Sequence, residues 1–193
     1  NGDGVGDAAE RNLISGNAGS GLRITGVGTD ANIVAGNYIG TDASGILALG
    51  NSFSGVAISG GAQFNVIGTD GDGTADAAER NIIAANIGED GVFIEDAGTD
   101  RNIVAGNFIG TDVTGSAALG NGFGVVISDG AFNRIGTNGD GVADAAERNI
   151  ISGNAYSGIV ILGTTANNNI VDGNYIGTDV TGTADLGNAN FGV

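Results

Sequence analysis

GDGVGDAAERN at residues 2–12 returns as GDGTADAAERN at 71–81 and as GDGVADAAERN at 139–149, at offsets of 69 and 68. A second run lies between these: NIVAGNYIGTD at 32–42 recurs as NIVAGNFIGTD at 102–112 and as NIVDGNYIGTD at 169–179, offset by 70 and 67. The chain is therefore one array of a repeated unit, spanning about 1–69, 70–137 and 138–193. Self-similarity at this period points to a stacked architecture in which each unit leans on its neighbours.

Each unit divides once more. The short runs GLRI, GVAI, GVFI, GVVI and GIVI begin at Gly21, Gly55, Gly91, Gly124 and Gly158, at spacings of 34, 36, 33 and 34, and a last copy opens at Gly192. Apolar residues alternate with small or polar ones for three or four positions before Gly or Asn intervenes, which is strand periodicity. A coil of three such strands buries its inward Ile, Val and Leu only beneath another coil, so stacking is compulsory. The spacing predicts an all-β chain: a right-handed parallel β-helix, a solenoid with about 34 residues per coil, about 5.5 coils and two coils per repeat. A leucine-rich repeat would show a recurring Leu frame, and a propeller would show longer strands and more aromatics.

Composition agrees. Gly supplies 39 of 193 residues, while Pro, Cys, Met, Trp, His and Lys are absent. Gly does not fall at every third position, which excludes collagen, and 41% hydrophobic residues in β-favouring runs argue against disorder. Six Arg against 22 Asp and Glu leave a net charge of −16, which argues against a nucleic-acid partner and favours cations. The lack of Cys removes disulfides and thiolate metal sites. No apolar run is long enough to span a membrane. The sequence carries no initiator Met or signal peptide and starts and stops within a repeat, so a segment of a longer array is expected.

Two asparagine sets recur. Asn32, Asn65, Asn81, Asn102, Asn133, Asn149 and Asn169 precede strands; Asn17, Asn37, Asn86, Asn107, Asn154 and Asn174 follow Gly or Ala. Placed at stacked bends, Asn tolerates a left-handed backbone and bonds the equivalent amide one coil away, so both sets read as internal ladders rather than glycan-binding rows. Tyr38, Phe108 and Tyr175 share one repeat position and Phe53, Phe123 and Phe191 another. These read as stacked aromatic columns.

Residues 68–79, GTDGDGTADAAE, place Asp70, Asp72, Gly73, Asp76 and Glu79 at the third, fifth, sixth, ninth and twelfth positions of an EF-hand-type loop. Calcium takes about six to eight hard oxygens, and alternate acids on a Gly turn supply them from a short segment. The equivalents are Asn138, Asp140, Asp144 and Glu147, and Asn1, Asp3, Asp7 and Glu10, with a carbonyl from Thr74 or Val142 at the seventh position. The first position is Gly68 or Gly136 instead of Asp, and flanking helices are missing. Calcium, the expected cofactor, would then need a ligand from a neighbouring coil. The GTD turns offer Asp42, Asp112 and Asp179. A compatible second reading makes Asp76-Ala-Ala-Glu79 a capping pattern and GDG an ordinary turn, with Arg11, Arg80 and Arg148 pairing with carboxylates of the same edge.

Catalysis needs a singular constellation, so its residues should break the repeat. Glu89, Asp90, Glu95 and Asp96 around GVFI do so, together with Arg23 and Arg101. Neither His nor Lys is present as a base, and most acids belong to the repeat, so these outliers read as a solvated acidic face. No catalytic residue is assigned.

The run NIV(A/D)GN(Y/F)IGTD(A/V)(S/T)G, followed by LGN and then by GVxI, resembles the right-handed parallel β-helix repeats of very large bacterial secreted or surface proteins, within the wider pectin-lyase-like group. The resemblance covers the whole chain. It implies the fold and an extracellular or cell-surface location, but the architecture hosts lyases, hydrolases, adhesins and passive stalks. The expected function is an extracellular structural or interaction solenoid: a spacer, stalk or filament segment whose exposed ends favour head-to-tail self-association. A polysaccharide-binding surface module is the alternative, and a polysaccharide lyase or glycoside hydrolase the more remote one.

Overall fold

The computed structural model describes residues 7–193. Its strands form three sheets, and every paired strand runs parallel to its neighbours. The first sheet contains Leu13–Ile14, Tyr38–Ile39, Ile82–Ile83, Phe108–Ile109, Ile150–Ile151 and Tyr175–Ile176. The second contains Leu22–Thr25, Val56–Ser59, Asp90–Glu95, Phe123–Ser128 and Ile159–Leu162. The third contains Ile33–Val34, Val66–Gly68, Ile103–Ala105, Arg134–Gly136 and Ile170–Asp172. The chain visits the three in turn, and each strand pairs with its counterpart one coil away, which defines a parallel β-solenoid.

From Leu22 to Ile159 the second sheet completes four turns of about 34 residues each. The total is about four turns rather than 5.5. The last strand-like copy, Gly192 and Val193, forms no strand: Phe191 and Gly192 offer carbonyls to the amides of Gly158 and Ile159, and pairing goes no further.

Alternation decides which residues face inward. Val56 and Ile58, Val92 and Ile94, and Val125 and Ile127 of the second sheet stack in register and are fully buried. Ile67, Val104 and Ile135 of the third sheet do the same, as do Ile39, Ile83, Ile109 and Ile151 of the first. β-Branched side chains suit this pleated, stacked surface. Each such burial is worth about 1.5–3 kcal/mol.

Three asparagine ladders close the corners. One joins Asn12, Asn37, Asn81, Asn107, Asn149 and Asn174; another joins Asn17, Asn51, Asn86, Asn121, Asn154 and Asn188; the third joins Asn32, Asn65, Asn102, Asn133 and Asn169. In each step the side-chain amide donates to the next Asn Oδ1 at 2.8–3.2 Å, and the backbone N–H of the same Asn donates to that oxygen as well. The two expected sets are therefore three, with Asn81 and Asn149 joining Asn37 rather than Asn65. The left-handed residue is the one before the ladder: Ala31, Phe64, Arg101, Phe132 and Asn168 have φ of 57–58° ahead of the third ladder. The ladder Asn itself stays out of that region, with its amide inside.

Two excursions leave the coil. Every second coil inserts the acidic loop between the third and first sheets, and the alternate coils insert the GTD turn between the first and second. The GTD turn folds back over the ring of Tyr38, Phe108 or Tyr175, where Gly45, with φ of 72°, leaves no room for a Cβ between the Val113 side chain and the Tyr38 ring. Consecutive turns hydrogen-bond directly across the intervening coil, from Val113 N to Gly45 O at 3.0 Å and from Val180 N to Gly115 O at 2.9 Å. Beneath them lies a second apolar layer outside the first sheet, formed by Tyr38, Ile82, Ala84, Phe108 and Ile150. The expected aromatic column is thus interleaved: register places Ile82 between Tyr38 and Phe108, and Ile150 between Phe108 and Tyr175. Phe53, Phe123 and Phe191 form no column either; Phe123 packs on Tyr156 at 4.9 Å between centroids, while Phe53 and Phe191 are exposed.

Candidate functional site

The acidic loops are held by their own side chains. Thr69 Oγ1 donates to Asp76 Oδ1 at 2.9 Å and accepts from Gly71 N at 3.0 Å; Asp70 Oδ1 and Asp72 Oδ1 accept from the amides of Asp72 and Thr74 at 3.1 and 2.7 Å. This chain of small Asx turns brings the carboxylates of Asp70, Asp72 and Asp76 within 4.8 Å of one another. Hard oxygens so spaced suit a divalent cation. Among the described residues no other set of three metal-ligating side chains of the His, Cys, Asp and Glu type gathers in this way.

Glu79 lies outside that cluster. It is buried, and its Oε2 accepts from Asp70 N at 3.2 Å. Burial pushes its carboxyl above the usual range; Thr69 and the Asp70 amide oppose this, while the Asp70 and Asp76 charges add to it. The capping reading is altered in the same way. Ala75, in the left-handed region, occupies the N-cap of the turn Asp76–Glu79 without a side-chain cap, and the Glu reaches back nine residues to the start of the loop.

The last loop repeats this frame with one amide in place of a carboxylate. Asn138 Oδ1 accepts from Asp140 N at 2.8 Å, Asp140 Oδ1 from Val142 N at 2.8 Å, and Asp144 Oδ2 from Gly141 N at 3.1 Å. Glu147, 1% exposed, accepts from Asn138 N at 2.8 Å. In the first loop Glu10 closes the helical turn Asp7–Glu10, whereas Asn1 and Asp3 lie outside the described residues, as does the side chain of Asp7.

The GTD aspartates are not brought to the acidic cluster. Asp42 accepts from Ser44 Oγ and the amides of Ile46 and Leu47; Asp112 from Thr114, Ser116 and Ala117; Asp179 from Thr181, Thr183 and Ala184. The hydroxyls of Ser44 and Thr181 are the main reason that Asp42 and Asp179 stay below the ordinary carboxylate range. The repeated arginines also find partners other than those expected. Arg11, Arg80 and Arg148 lie over the rings of Tyr38, Phe108 and Tyr175 at 4.1–4.3 Å, and their Nε atoms donate to the carbonyls of Gly36, Gly106 and Gly173. A guanidinium over a ring face is attracted by the ring quadrupole.

The residues that break the repeat separate into two groups. Asp96 turns to the Gly60 amide at 3.0 Å, and Arg101 sits beside Phe64 and Phe132 at another corner. Arg23, Glu89 and Glu95 instead line a hollow of about 540 Å³ on the outer face of the second sheet, with Phe53, Ser54 and Phe93. Asp90, Phe93, Phe123, Val126, Ser128 and Leu162 line an adjoining hollow of about 240 Å³. Phe93 belongs to both. Burial first, then the charges of Glu89 and Glu95, raise the Asp90 carboxyl to about 7. Glu95 is also raised, by burial and by Asp96, against the pull of Arg23. Phe93 and Phe123 come from ordinary strand positions and Phe53 from the bend before Val56, so periodicity alone does not mark them; for Phe93 register does, placing it with Ala57 and Val126 in one outward row.

No family profile matches the chain, and no curated protein and no solved structure matches it either.

Proposed function

We propose that the chain is an extracellular or cell-surface structural solenoid of the right-handed, pectin-lyase-like kind that its repeat resembles, acting as a spacer, stalk or filament segment. The observation that carries this reading is the register of the three asparagine ladders, in which each coil presents to the next the same amide and Oδ1 pattern that it accepts from the one before. At one end the Oδ1 atoms of Asn12, Asn17 and Asn32 accept no hydrogen bond, and at the other the backbone amides of Asn169, Asn174 and Asn188 donate none, among the described residues. A further coil, of the same polypeptide or of a second copy stacked head to tail, would extend all three ladders in register. It would also cover Leu13 and Ile33 at one end and Leu162 and Ile170 at the other, all exposed here. Such heterologous contacts need not close, so they propagate as fibres.

In this reading calcium stiffens the stack through the acidic loops, with Asp70, Asp72 and Asp76 as ligands in the second loop and Asn138, Asp140 and Asp144 in the third. Sedimentation of the isolated chain over a hundredfold concentration range tests the stacking. A series of end-to-end oligomers is expected; a single-chain species at every concentration would overturn it. Calorimetric titration with calcium tests the loops, and no heat together with an unchanged melting midpoint in chelator would reduce them to turns.

A further inference from the structure

The repeated features of the molecule are consumed by its own stacking, so a ligand site is to be sought where the repeat breaks. Asp90 is such a place. It is 7% exposed, and among the described residues its carboxyl accepts no hydrogen bond and forms no ion pair, yet it lines the smaller hollow on the outer face of the second sheet. A carboxyl so nearly enclosed and without a protein partner is poorly hydrated in its charged form. On the other side of Phe93 the larger hollow carries Glu89 and Glu95, offset by the single cation Arg23.

This arrangement has two anionic ends and an apolar middle. The charge excludes anionic ligands such as uronates or phosphates. The sheet face excludes an added peptide strand, because the backbone of Asp90–Glu95 is already paired on both sides. Combined, the two hollows fall within the size range of small-molecule sites. A ring between two carboxylate-bearing hollows suits an alkyl spacer with an ammonium at each end, the charged groups gaining from both carboxylate and ring face.

We propose that the outer face of the second sheet binds an aliphatic polyamine, one ammonium seated on Asp90, the other between Glu89 and Glu95, and the spacer across Phe93. This goes beyond the structural role and does not depend on it. The charged groups facing Asp90 are Glu89 and Glu95 of its own segment, with Arg23 two strands away. The flanking strands contribute Phe123 and Ser128 on one side and Ala57 on the other, with Ser54 donating to Glu89 at 3.2 Å and the Tyr156 ring packed on Phe123. An ammonium binds the carboxylate form, so seating the ligand expels the Asp90 proton.

Calorimetric titration with spermidine tests this, with magnesium as a simple-cation control and the disaccharide of glucosamine as a diammonium of different body. Wild-type protein is expected to bind spermidine at one site, with affinity rising about tenfold from pH 6 to pH 8 as Asp90 ionises. Asp90→Asn should weaken binding at pH 8 about tenfold or more and abolish the pH dependence. Asp185→Asn, which removes an equal charge away from the groove, should change neither. Equal losses in both variants, or displacement of spermidine by equimolar magnesium, would mean diffuse attraction to an acidic protein and overturn the site. Tighter binding of the glucosamine disaccharide than of spermidine would overturn the polyamine as its occupant. Thermal melts of each variant confirm that the fold is retained, and Phe93→Leu, which keeps the apolar row but removes the ring, gives a second route to the same loss.

Discussion

Asn107 Oδ1 accepts two hydrogen bonds from Asn81, one from the backbone amide at 3.3 Å and one from Nδ2 at 2.9 Å. Asn107 in turn donates through Nδ2 to the carbonyls of Ile67 and Ala105 and to Asn149 Oδ1. All three asparagines are fully buried, so each amide is satisfied within the protein, chiefly by the coils above and below. Replacing Asn107 with Leu leaves several buried groups unpaired at about 1–3 kcal/mol each. We expect Asn107→Leu to lower stability by roughly 3 kcal/mol or more, and Asn174→Leu, at the open end of the same ladder, to cost less. Chemical denaturation of both variants measures the gap, and equal losses would contradict the ladder account.

The acidic loops touch one another as well as their own coils. A Cβ on Gly71, whose φ is 74°, would collide with the buried carboxylate of Glu147 in the next loop. Gly71→Ala therefore carries both backbone strain and a clash and should destabilise by about 1–3 kcal/mol. Gly139→Ala, where φ is 70° but nothing lies near the new Cβ, should show only the strain. Melting temperatures of the two variants separate the contributions.

Asp90 gives a pH signature of its own. Its carboxyl is raised to about 7 in the fold from 3.8 in a free chain, so the folded state holds the proton more tightly. Its protonated form is accommodated at low pH, and its stability contribution is lost as pH rises from about 4 to about 7. Asp90→Asn should melt above wild type at pH 8, with the difference shrinking to nothing as pH falls toward 4. Asp42 and Asp179 act in the opposite sense: lowered in the fold, they support it at neutral pH, and that support is lost as pH falls from 3.8 through their lower folded values.

Arg134 interrupts the outer row of the third sheet, where Val66, Ile103 and Ile170 occupy the equivalent positions. Its Nη1 is buried and has no hydrogen-bond partner. Arg134→Ile restores the aliphatic row and removes an unsatisfied donor, so a raised melting midpoint is expected; a fall would show that the guanidinium stem packs better than a β-branched side chain.

Much of this architecture was legible because its signals are local. Gly21, Gly55, Gly91, Gly124 and Gly158 mark the coil, and the following Ile and Val mark its inner face. The ladders were legible in kind but not in membership. Asn51, Asn121 and Asn188 follow Leu-Gly after the GTD excursion, a local context unlike that of Asn17, although their ladder steps evenly by 33–35 residues. The ladder through Asn37 and Asn81 is the uneven one, stepping 25, 44, 26, 42 and 25 residues, so its alignment needed the fold. The second apolar layer was hidden for a related reason: Tyr38 and Ile82 are farther apart in sequence than one regular coil although they pair directly, since the acidic loop intervenes. In the acidic loop the structure brings the carboxylates of Asp70, Asp72 and Asp76 within 4.8 Å of one another, while Glu79 is buried and accepts from the Asp70 amide, a separation that the linear EF-hand frame does not show. The groove residues stood out singly as breaks in the repeat. Their convergence depends on Phe53, Phe93 and Phe123 arriving from three different coils.

In the proposed stack, complementary ends let the solenoid continue itself. Its strands lie about 4.8 Å apart along the axis, and loops that alternate from coil to coil double that period. Electron microscopy of concentrated chain, with diffraction from aligned material, should show unbranched fibres of uniform width, with an axial spacing of about 4.8 Å and a superperiod of about twice that value. Isolated particles of single-chain length at every concentration, or fibres without the doubled period, would contradict it.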